Sequence, residues 1–152
     1  MAYCSSSDLS IAVGGGSVLV QLLDKDGDGV ADADQVAACL ARATSEVNGA
    51  IQIAIDIDTL SAPYPDELIY RTADIAAYRA WLQGGDGQTM PEAIKASYEN
   101  AAKWLDQVAR RERTLGVLPK PATSQQAEQI DRNPTGTTPR TPTWSSTAGT
   151  FW

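Results

Sequence analysis

The sequence predicts an all-α fold: a small bundle of about four helices with an extended C-terminal arm. One short strand or hairpin near residues 50–58 is the candidate exception. Three observations carry this reading. Apolar residues recur at three- and four-residue steps through most of the first 115 positions. Capping residues precede those runs, and glycines or arginines follow them. Composition then changes near residue 115, from 9 basic and 17 acidic residues before it to 3 basic and 2 acidic after it. The later segment holds five of the eight prolines and cannot offset its ordering entropy by burying apolar surface on itself. The 152 residues therefore divide into a helical domain over 1–116 and an extended docking arm over 117–152, held by something outside its own core.

Ser6 or Ser7 is placed to cap a short helix through Asp8, Leu9 and Ala12, stopped by Gly14-Gly15-Gly16. Val18, Leu19, Val20, Leu22 and Leu23 form a second apolar piece that reads as helical or extended. Asp32 opens the next helix with Gln35 in capping-box spacing, and Val36, Leu40, Ala43 and Val47 mark its buried face. Ile51, Ile53, Ile55 and Ile57 then alternate with Gln52, Ala54, Asp56 and Asp58. Period two with β-branched residues points to a strand, which would need a partner such as a neighbouring subunit. A loop-hairpin or a frayed end of the preceding helix fits as well. Pro65, Asp66 and Glu67 form a helix first turn, followed by Leu68, Thr72, Ile75, Arg79 and Leu82 on one stripe. Thr89-Met90-Pro91-Glu92 starts a long helix with Ile94, Tyr98, Ala101, Leu105 and Val108 inward. Arg110, Arg111 and Arg113 suit its C-terminal dipole, and Gly116 is placed to stop it. The core is expected to include Leu40, Val47, Leu68, Ile75, Leu82, Ile94, Leu105 and Val108.

Composition excludes several chemistries. The chain has no histidine, so His-based triads, His metal sites and His pH switches are absent. A net charge of −7 without a basic cluster argues against phosphate-backbone binding as the main task. No apolar run approaches the ~18–20 residues that cross a bilayer. The opening Met1-Ala2-Tyr3-Cys4-Ser5 lacks the basic and apolar regions of a signal peptide, so use in a cytoplasm is expected. Cys4 and Cys39 are then expected to be reduced, small, buried thiols.

The sharpest local motif runs from Asp24 to Asp32. Asp24, Asp26 and Asp28 occupy positions 1, 3 and 5 of an EF-hand-like loop, with Gly29 at the turn, the Val30 carbonyl at position 7 and Asp32 at position 9. A hard cation such as calcium suits such a cluster because it neutralises carboxylates that otherwise repel. Position 12 is Gln35 in place of a bidentate Glu, so any calcium site here is weak. The alternative is an Asp/Gly turn whose last acid caps a helix. Gly14-Gly15-Gly16-Ser17 lacks the lysine of a phosphate cradle and reads as a hinge. Tyr70, Tyr78, Trp81, Tyr98 and Trp104 fall in the long helices, where packing is the default. Trp144, Phe151 and Trp152 are large aromatics in a segment with no core, which suits anchors for a partner's pockets.

Several of these pieces, in this order, resemble one known family. They are Met1-Ala2-Tyr3-Cys4 with Ser7-Asp8-Leu9, then Leu22-Leu23-Asp24-Lys25-Asp26-Gly27-Asp28-Gly29, then Ala43, Ser45, Glu46 and Val47. Pro65, Leu68, Ala73-Asp74-Ile75-Ala76 and Tyr78 follow, then Tyr98, Ala101, Ala102, Leu105, Val108 and Leu115-Gly116. Over residues 1–118 the chain resembles the head–tail connector (adaptor, or neck) proteins of Mu-like tailed phages and prophages. The resemblance implies a virion protein without enzymatic activity, assembled in the host cytoplasm and sited in the neck between head and tail. It implies a ring of neighbouring copies, about twelve, beneath the portal protein. That ring would dock the next neck or tail protein while double-stranded DNA passes through without sequence-specific binding. A small calcium-binding helical interaction module is the alternative, resting on the Asp24 loop.

Overall fold

A capping box sets the first helix. In the computed structural model, which describes residues 2–85 and 88–115, the N-cap of α1 (Ser6–Ala12) is Ser5, one or two residues before the serines the sequence favoured. Ser5 Oγ accepts the Asp8 N–H at 3.2 Å while the Asp8 carboxylate accepts the Ser5 N–H at 2.7 Å. Asp8 stands at the third helical position only if Ser5 is the cap, and that reciprocity decides the start. At the other end the Gly15 N–H reaches the Ser10 carbonyl at 2.8 Å and the Gly14 N–H reaches Ile11 at 3.1 Å. This Schellman closure puts Gly14 at φ 101°, which glycine adopts without a Cβ penalty. The chain turns through 98° into α2 (Gly16–Leu23), so the apolar run after the glycines is helical. Leu19, Leu22 and Leu23 bury its inner face.

Helix α3 (Ala33–Ile51) starts after Asp32, but the Asp32 side chain makes no cap bond and the expected box with Gln35 does not form. Gln35 instead accepts from Gln83 Nε2 on α4. The isoleucine alternation is not a strand. Ile51 ends α3, the Ala54 and Ile55 N–H groups both return to the Ile51 carbonyl at 2.9 Å, and a 3₁₀ turn follows at Ile57–Thr59. Ile51 and Ile55 are buried and Ile53 is 58% exposed, so four-residue spacing across a turn, with a single bridge position at Ile55, produced the apparent period of two. The proposed strand pairing with a neighbouring subunit loses its basis among the described residues.

Helix α4 (Asp66–Gly84) packs against all four other helices. Its buried Ala73, Ala76, Ala77 and Ala80 allow that close approach, and the buried Thr72 hydroxyl is satisfied by the Leu68 carbonyl at 2.7 Å. At its end Gly84 lies so near α2 that a Cβ there would overlap the Leu22 carbonyl oxygen. This contact shifts the buried face of the last turn towards Ala80 and Gly84. Leu82, expected in the core, is consequently 58% exposed, while Leu40 on α3 is only partly buried against the core. Val47, Leu68, Ile75, Ile94, Leu105 and Val108 are buried as expected.

Helix α5 (Glu92–Ala109) starts after Pro91. It stops well before Gly116, which lies outside the described residues. The Glu112 N–H bonds to the Gln107 carbonyl and the Arg111 N–H to Val108, both at 2.9 Å, with Arg111 at φ 61°. An arginine thus occupies the left-handed position glycine usually takes. Cys4 and Cys39 are free and buried, and burial pushes the Cys4 thiol up to about 11. Contacts divide the chain into Met1–Lys120 and Pro121–Trp152, and all the described residues lie in the first unit.

Candidate functional site

The loop between α2 and α3 is built by its own carboxylates. Asp24 Oδ1 accepts the Gly27 N–H at 2.7 Å and Oδ2 accepts the Gly29 N–H at 2.9 Å. Asp26 accepts from Asp28 N–H at 3.2 Å, and Asp28 from Val30 N–H at 2.8 Å. Such Asx turns are why aspartate and glycine dominate here, with Gly27 and Gly29 at φ 77° and 85°. The neck of the loop closes where the Asp32 N–H meets the Leu23 carbonyl at 2.9 Å and the Asp32 carboxylate accepts the Lys25 N–H at 3.4 Å.

One oxygen each from Asp24, Asp26 and Asp28 falls within 4.8 Å of the others. Three of the four acids singled out in the sequence therefore converge, and Asp32 is not part of the triplet. The Gly29 N–H, with help from Gly27, holds the Asp24 carboxyl below the usual carboxylate range. Asp26 is the reverse: the Asp28 N–H lowers it, but the charges of Asp28 and Asp32 and its proximity to Asp24 leave it raised overall. A hard cation would relieve that crowding, with the three carboxylates as ligands. Gln35, at position 12, is committed to Gln83 and supplies no ligand.

A second polar cluster, not singled out in the sequence, joins three helices. Glu46 on α3 pairs with Arg79 on α4 at 2.5 Å and accepts the Tyr98 hydroxyl from α5 at 3.0 Å. Tyr98 also stacks on Tyr78, ring centres 4.1 Å apart. Burial, then the bond to Glu46, raises the Tyr98 pKa and keeps the phenol a donor. Arg79 within an otherwise apolar stripe was the one sequence signal for it. Of the helix aromatics, Trp104 is buried while Tyr70 is 63% exposed. Trp144, Phe151 and Trp152 lie outside the described residues.

A family model described as Bacteriophage Mu, Gp36 matches residues 3–132. The chain belongs to the Mu Gp36 family. Among curated proteins none matches it significantly. The Gp36 match takes in all five helices, the aspartate loop and the Glu46–Arg79–Tyr98 cluster, and continues beyond Leu115 into the segment read as the arm. A Mu Gp36 protein is a phage protein, and membership supports a structural or morphogenetic role in the virion or the infected cell. The fold agrees with the all-α reading: five helices and no strand among the described residues.

Proposed function

We propose that this Mu Gp36-family chain is a head–tail connector. In this reading about twelve copies form a ring beneath the portal protein, extend the DNA channel and dock the next neck or tail component. The observation that carries it is the family match over residues 3–132, which spans the whole helical body and agrees with the resemblance already drawn from its motifs. The protein acts as a rigid spacer and adaptor and not as an enzyme. The body up to residue 115 carries 17 acidic residues against 9 basic, and like charge lets duplex DNA slide past without adhering. A closed ring needs two different faces on each copy. Exposed Ile11, Ile53, Tyr70 and Leu82 supply apolar groups for such contacts.

The arm beyond residue 116 is the docking element of this reading, with Trp144, Phe151 and Trp152 as anchors that fill pockets of the portal or of a neighbouring copy. Deleting residues 141–152 tests it. The melting temperature of the body should be unchanged while portal attachment is lost; a large fall in melting temperature with attachment retained would assign the arm to the fold instead.

Convergence of Asp24, Asp26 and Asp28 within 4.8 Å favours a second, compatible reading, in which the loop holds calcium weakly and stiffens the α2–α3 connection. Calorimetry with millimolar calcium should give heat that an Asp24→Ala, Asp26→Ala, Asp28→Ala variant lacks; no heat from the parent reduces the loop to a turn.

A further inference from the structure

We draw no further inference here: the strongest candidate, the open groove along α3 whose two clefts share Ala37 and Leu40, is an unpartnered face of small and apolar side chains, and nothing in the structure shows what covers it.

Discussion

Gly49 and Gly84 are both helical, yet replacing each by alanine should move stability in opposite directions. Gly49 is exposed on α3, and a methyl group added there would meet nothing within 4 Å, so Gly49→Ala should stabilise by about 0.5–1 kcal/mol through backbone entropy. At Gly84 the new methyl would overlap the Leu22 carbonyl, main chain that can move only if α2 leaves α4. Gly84→Ala should therefore cost roughly 3 kcal/mol. Urea melts of the two variants check this, and a shift of the same sign in both would contradict the packing. Asp24 gives a pH signature at the same scale. Its folded pKa is depressed, so its contribution is present above about pH 4 and is lost as pH falls through the lower folded value. Asp24→Asn should be less stable than the parent at neutral pH, and the gap should narrow as pH falls through the depressed folded value of Asp24. A gap that stays constant with pH would remove the charge from the explanation.

Between helices, the Glu46–Arg79–Tyr98 cluster is the polar tie that the apolar pattern does not supply. Both ionic side chains are about one-third exposed, so solvent screens the pair and the coupling is modest. A double-mutant cycle with Glu46→Gln and Arg79→Met should give a coupling of about 1 kcal/mol; a value near zero would mean the helices are held by apolar contact alone. Helix order and most core positions were legible in the sequence, because buried faces impose a three-to-four spacing that survives as a pattern. Three features were not. Ile51 and Ile55 anchor either side of a turn and so imitate a strand's alternation. Helix α5 ends at Ala109, and the closure just past it, normally signalled by glycine, is made by Arg111. Leu82 is left outside because Gly84 draws α2 to the neighbouring face, and a close approach of two backbones leaves no mark in hydrophobic periodicity.

At the scale of the whole molecule, the proposed connector role rests on surfaces. The aspartate triplet was legible because residues two apart in an Asp/Gly loop turn the same way. The cleft between α1 and α4 was not, since it exists only when α1 lies against α4 and sets Ile11 beside Tyr70. Family membership supplies the phage setting, and the acidic helical body with exposed apolar groups suits a passive ring that touches protein neighbours and repels DNA. The direct test is electron microscopy of the full chain mixed with the portal ring of the same phage, with native mass spectrometry counting the copies. A single added ring of about twelve copies, coaxial with the portal channel, is the expected result. A chain that remains free beside intact portals, or that binds at the portal's outer wall away from the channel axis, would contradict the connector reading.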